Sequence, residues 1–172
     1  MKYLHGPMTK RIAHRAFTVD DAAVAFALNS DVDVLRYTGD IPLTSVDDAR
    51  NFIADYPDFE TIGYGRWACV LRETETVIGF CGLKHLPDLN VVDIGFRFLP
   101  RYWGQGFGTE ACSACVSFGF ETIGLQRIVA FVMPENIASI RVLEKSGMLF
   151  DGNFDYDGIA TLRFAAANPE CG

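Results

Sequence analysis

The sequence predicts one α+β domain in which α-helices flank a β-sheet, on three observations. Its 172 residues run without a Ser/Gly linker or an internal repeat, and at this size folding withdraws about 70% of the extended chain's surface from water. Stretches of alternating apolar residues and stretches of helically spaced apolar residues follow one another along the chain. In two places a strand-like run passes into a helix-like one, once through a glycine-dense turn at residues 103–109 and once through Pro134, Glu135 and Asn136.

Residues 11–17 read as a first strand. Thr18, followed by Asp20 and Asp21, caps a short apolar helix at residues 22–28. A second helix is expected at 46–56, entered through Thr44 or Ser45 and stopped by Pro57. Residues 66–72 and 76–85, rich in aromatic and β-branched side chains, read as a hairpin turning at Glu73, Thr74 and Glu75. In the next strand, 91–99, Ile94, Phe96 and Phe98 alternate with Asp93, Gly95 and Arg97 and so share one face. Pro100 closes it. After the glycines, Phe107, Ala111, Ala114, Cys115 and Phe118 keep helical spacing, with Gly124 as the stop. A buried strand is expected at 127–132. Asn136 then caps a helix whose Ile137, Ile140 and Leu143 face inward and which ends at Gly147. Strands at 148–153 and 159–165 close the domain around a polar turn, Asp155, Tyr156, Asp157 and Gly158. Residues 1–7 and 168–172 read as loose ends.

Composition narrows the functions. At 49% hydrophobic and 22% charged residues the chain is not a disordered one. A net charge of −7 and a pI near 4.9 exclude general nucleic-acid binding and attraction to acidic lipid headgroups. No apolar run approaches the roughly 20 residues that cross a bilayer, so no membrane role is expected. The opening residues lack the apolar stretch of a secretory signal, and five cysteines without a regular framework suit a reducing compartment, which together give a cytoplasmic expectation. His5, His14 and His85 are far apart and no Cys or His pair has ligand spacing, so no metal is assigned. Residues 20–60 hold ten acids against two bases, either a solvated helix surface or a region that attracts cations.

Gly104, Gly106 and Gly108 stand at every second residue between a strand and a helix. Such a turn lets the backbone approach a ligand closely, aims successive N–H groups outward and adds the positive end of the helix, which makes it either an anion site or a structural tight turn. Thr109 replaces the third glycine of a dinucleotide fingerprint, and no Lys-Ser/Thr pair follows as in a P-loop.

Residues 100–111 (Pro-Arg-Tyr-Trp-Gly-Gln-Gly-Phe-Gly-Thr-Glu-Ala), followed by residues 136–148 (Asn-Ile-Ala-Ser-Ile-Arg-Val-Leu-Glu-Lys-Ser-Gly-Met), resemble the GNAT superfamily of N-acetyltransferases. The closer resemblance is to its RimJ/RimL-like branch, which acetylates protein N-termini and related amines. It spans residues 9–166 and implies acetyl-CoA as co-substrate and a mixed, splayed β-sheet flanked by α-helices. By position, it implies that the amides of Trp103, Gly104, Gln105, Gly106, Phe107 and Gly108 hold the pyrophosphate, with Thr109 at the helix start. The pantetheine arm would pair with the backbone of Phe96 and Phe98, as an extended ligand adds to an open strand edge. Asn136 would brace the splayed strands or the pantetheine arm as well as cap its helix, and Arg101, Arg141 and Lys145 would reach the 3′-phosphate. The tyrosine often credited with protonating the thiolate falls at Leu143, Phe96 stands where the branch often has Tyr, and Asp93 where Glu is common.

Acetyl transfer needs a neutral amine, an oxyanion donor and a proton for the departing thiolate. The backbone amide of Phe98 is the oxyanion candidate. Asp93, directly or through water, is the first candidate base and Glu110 the second; Ser139 is the first candidate acid and Tyr156 the second. The expected activity is N-acetylation of a primary amine, a peptide N-terminus or a small cationic amine, by direct attack in a ternary complex. Leu143 and the indistinct base motivate the alternative, a non-catalytic acyl-CoA-binding sensor or partner module. The resemblance leaves a homodimer open.

Overall fold

The computed structural model describes residues 2–171, so Met1 and Gly172, parts of the two expected loose ends, lie outside it. The described residues build an eight-stranded mixed sheet in the order β1-β2-β3-β4-β5-β6-β8-β7. The edge hairpin of β1 (His5–Met8) and β2 (Ile12–Arg15) corrects the loose N-terminal end. Gly6 and Pro7 are poor strand formers, but an edge strand tolerates proline, and the chain is tied down further by the Trp67 indole donating to the Tyr3 carbonyl at 2.8 Å. The C-terminal end is likewise not loose at Asn168, which is buried and bonded through its N–H to Gln126 O and its amide side chain to Leu125 O.

Helices α1 (Ala22–Leu28), α2 (Val32–Leu35), α3 (Val46–Ala54) and α4 (Asp58–Thr61) follow. Ser45 caps α3 by accepting from the Asp48 N–H. Ala22, Ala25 and Ala49 are buried between α1 and α3, where small side chains let the helices approach closely. The single-turn helices α2 and α4 are too short to show a period in the sequence.

Strands β3 (Arg66–Leu71), β4 (Val77–Leu86) and β5 (Val91–Phe98) form an antiparallel meander. Their two faces differ. Trp67, Cys69, Cys81, Leu83 and Ile94 join the core with Phe107, Ala111, Cys112 and Cys115 of α5 (Phe107–Phe118). On the other face Arg66, Phe80, Lys84, Asp93 and Arg97 line a cavity under α1 and α3. The chain returns through β6 (Arg127–Val132), α6 (Ile137–Lys145), β7 (Leu149–Tyr156) and β8 (Ile159–Ala167). Two expectations are corrected here. Ile137 is 52% exposed, because only the Ile140 and Leu143 side of α6 meets the core. Tyr156 ends β7, and the turn itself is the pair Asp157 and Gly158, both at positive φ as a two-residue hairpin requires.

The sheet is splayed between β5 and β6. These neighbours are parallel, yet they share one register pair, Asp93 with Val129, before their C-terminal ends diverge. No helix among the described residues is long and apolar enough to cross a membrane.

Candidate active site

The glycine turn is shaped for an anion. Gly104 and Gly106 sit at φ 73° and 81°, in the left-handed region, and Gly106 caps α5. The first bond into the helix is Glu110 N–H to Gly106 O at 3.1 Å, so the N–H groups of Gly106, Phe107, Gly108 and Thr109 precede the helical ladder. Trp103 is a correction to the expected cradle. Its N–H donates to Pro100 O at 3.0 Å, which withdraws it from any ligand, while its indole donates to Phe98 O at 2.7 Å. The turn amides that could face an anion therefore begin at Gly104. Val142 packs beside Gly108, Arg141 is exposed on α6, and the exposed Arg101 lies just before the turn.

Arg11, unremarked in the sequence, braces this turn. Its guanidinium donates to Gln105 O at 3.0 Å and to the Glu110 carboxylate at 2.7 Å, and lies 4.1 Å from the centre of the Phe107 ring. Glu110 also accepts from Thr9 Oγ1 at 2.6 Å and from the Arg11 N–H at 2.9 Å. Burial works to raise the Glu110 carboxyl, but these bonds outweigh it and hold the group below its usual range. Glu110 reaches neither cavity of the site and its carboxylate is occupied by Thr9 and Arg11, which corrects its place among the candidate bases.

The splay opens a cavity of about 280 Å³. The bond from Leu99 N–H to Ile78 O sets the alternation along β5: odd-numbered residues bond to β4, and the N–H groups of Phe96 and Phe98 turn toward the gap. Phe96, Asn136, Ser139, Leu143 and Tyr156 line this cavity; Phe98 does not, and its carbonyl is held by Trp103. Asn136 Oδ1 accepts the Ser139 N–H at 3.3 Å, an ordinary N-cap. A second cavity, of about 340 Å³, lies between the sheet and α1 and α3, walled by Phe17, Phe52, Tyr56, Phe59 and Phe80. Asp40, Arg66, Phe80, Asp93, Arg97 and Tyr156 line both, so the two cavities adjoin over these residues.

The floor of that junction is an ion pair. Arg66, Gly82 and Gly95 stand abreast on β3, β4 and β5, and the guanidinium lies across the two glycines to reach Asp93 at 2.8 Å. A Cβ on Gly95 would sit 2.7 Å from Arg66 Nη2, so this position must be glycine for the arginine to lie flat. Burial disfavours the Arg66 charge, and Asp93 and Tyr56 restore it, with the guanidinium ending above its ordinary value. Arg97 pairs with Asp40 and donates to Asn29 Oδ1 at 2.7 Å. The Tyr156 phenol is pushed up, first by burial and then by Asp93 and Asp157. Sequence reading missed Arg66; the sign was a glycine at matched positions of two neighbouring strands.

The acidic segment proves to be mostly surface chemistry. Asp21, Asp33, Asp47 and Glu60 pair with Arg15, Arg36, Arg50 and Lys2, Asp31 and Asp48 hold helix starts, and Asp40 is the one acid of this segment that lines either cavity. Cys69, Cys81, Cys112 and Cys115 are buried free thiols, and burial pushes them all up, away from thiolate chemistry. Among the described residues no three His, Cys, Asp or Glu side chains gather as a metal site.

Known proteins agree with this geometry. The profile of the acetyltransferase (GNAT) domain matches residues 11–149. An N-acetyltransferase of Bacillus licheniformis, p20, is 35% identical over 150 residues, covering 83% of this chain and 84% of its own. A crystal structure of a GNAT-family acetyltransferase from Bacillus anthracis superposes with a TM-score of 0.80 at 27% identity, over 94% of this chain and 98% of the other. The RimJ protein of Mycobacterium smegmatis, solved with CoA-disulfide, reaches a TM-score of 0.80 at 20% identity, over 96% and 88% of the two chains, a likeness of fold. The chain belongs to the GNAT acetyltransferase family, enzymes whose co-substrate is acetyl-CoA. The left-handed glycines, the free amides at the start of α5 and the backbone edge open in the splay fit that co-substrate.

Proposed function

We propose that this enzyme acetylates a primary amine, of a peptide N-terminus or a small molecule, by direct attack in a ternary complex at the junction of its two cavities. The observation that carries this reading is the adjoining of a splay cavity, lined by the Phe96 stretch of β5 and the start of α6, and an aromatic cavity over one set of residues. The amides from Gly104 to Thr109 receive the pyrophosphate and the open edge of β5 receives the pantetheine arm. Because the turn lies beyond the C-terminal end of β5, the arm meets Phe98 first and Phe96 next. The thioester then lies deeper, so the Phe96 N–H, on the cavity wall, replaces that of Phe98 as the oxyanion donor. The amine attacks the carbonyl, a C–N bond forms and the C–S bond breaks. Asp93 takes the proton of the amine, directly or through water. Tyr156 gives its proton to the thiolate; its raised phenol stays protonated until that moment, and it lines both cavities, as Ser139 does not.

Proximity supplies about 7–11 kcal/mol of barrier reduction and one oxyanion donor about 2.7–4, whereas acid–base help is worth about 10²–10⁴ in rate. Loss of Asp93 or Tyr156 should therefore slow the reaction without abolishing it. Thiol release from acetyl-CoA across an amine panel, read together with product mass, tests the proposal: release with gain of one acetyl group supports it. Tight coenzyme binding with no release for any amine would instead support the non-catalytic module.

A further inference from the structure

The charges of the two cavities do not balance. Of the five charged residues that line them, Arg66 pairs with Asp93 and Arg97 with Asp40, while Lys84 forms no ion pair among the described residues. Lys84 also belongs to the aromatic cavity alone. It stands directly opposite Asp93 across β4 and β5, but that carboxylate already faces Arg66. The cavity on the acceptor side thus combines aromatic walls with one surplus ammonium. Its one charge outside an ion pair is positive and exposed, although the chain as a whole is acidic. Phe80, an aromatic face that could attract a cation, is already covered by the Arg97 guanidinium at 5.5 Å.

We infer that the acceptor is an amine with an apolar, aromatic-sized body and a carboxylate, and that Lys84 is the specificity residue that receives the carboxylate. This rests on the acetyl transfer proposed above. Along β4, Lys84 lies three residues from Cys81, the partner of Phe96, which is about 10 Å at strand rise. The carboxylate is therefore several bonds from the reacting nitrogen. A polycationic acceptor would meet the ammonium with like charge.

Three matched probes separate the charge classes: 4-(2-aminoethyl)benzoate, its primary carboxamide, and the corresponding benzylamine dication. Calorimetric binding of each to the enzyme saturated with CoA reads the cavity, and thiol release from acetyl-CoA reads the reaction. The expected order of affinity is carboxylate, then carboxamide, then dication, with about a fivefold step for an exposed ion pair. Lys84→Met should level the first two with thermal unfolding unchanged, because the side chain is exposed, and Lys84→Glu should reverse the order, with a lower unfolding temperature because it faces Asp93 across the strands. Equal binding of all three, preference for the dication, an order unchanged in Lys84→Glu, or no binding of any probe overturns the inference. Binding in the expected order without thiol release keeps the inference about the pocket and counts against the catalytic reading instead.

Discussion

Replacement of Gly104 isolates the conformational demand of the proposed coenzyme cradle. An added Cβ there meets no protein atom within 4 Å, so the penalty comes from holding an L-residue at φ 73°. That cost is about 1–2 kcal/mol for alanine, which is about five- to thirtyfold in coenzyme affinity if the turn binds in the observed shape. Asparagine tolerates the left-handed region, so Gly104→Asn should lose less than Gly104→Ala despite its larger side chain. Titration calorimetry with CoA measures both, with thermal unfolding as the check on the fold. A steric obstruction would rank the two variants the other way. Wild-type affinity in Gly104→Ala, or a greater loss in Gly104→Asn than in Gly104→Ala, refutes the claim that left-handed backbone forms the cradle.

Arg11→Met should weaken CoA binding several-fold through loss of the bonds to Gln105 O and Glu110, with the partial exposure of Arg11 limiting the effect; Glu110→Gln should weaken it less, since its amide still accepts from Thr9 and the Arg11 N–H, and calorimetry ranks the two. His14 is buried with Nε2 unpartnered, and burial lowers its pKa against the pull of Pro7 O and Glu110. The unfolded chain therefore takes a proton near pH 6.5 that the fold accepts only at lower pH. Stability from this residue is complete above that value and falls as the pH drops toward the lower, folded value. Urea midpoints at descending pH should show the decline, and His14→Leu should flatten it. Trp67→Ala, at a site with no exposure, should cost about 3–5 kcal/mol by urea unfolding. Asp93→Asn should lower kcat more than it raises the KM for acetyl-CoA, and an equal rise in that KM would remove Asp93 from the chemistry.

The pattern of residues along the chain was enough to place the central hairpin, the β5 strand, the start of α5 at its glycines and the α6 cap at Asn136. Each is a local matter: periodicity, cap chemistry and turn glycines act over a few neighbours, so no distant partner is needed to read them. The left-handed glycine turn was legible on the same terms, while the coenzyme role proposed for it came from the likeness of two helix starts to the family. Pairing across long separations remained beyond that reading. Gly6 and Pro7 enter a strand because β2 and Trp67 are there to receive it, and Trp103 loses its amide to a turn that spacing does not announce. Glu110, the second candidate base by sequence, is held by Thr9 and Arg11, about a hundred residues earlier in the chain. Composition leaves the acidic stretch either a solvated surface or a cation-attracting region, and only the fold, which matches several of its carboxylates with arginines and caps, decides for the surface and leaves Lys84 outside any ion pair among the described residues. A carboxylate's role depends on which group the fold brings within about 3 Å, and that distance is set by packing between remote segments rather than by position in the chain.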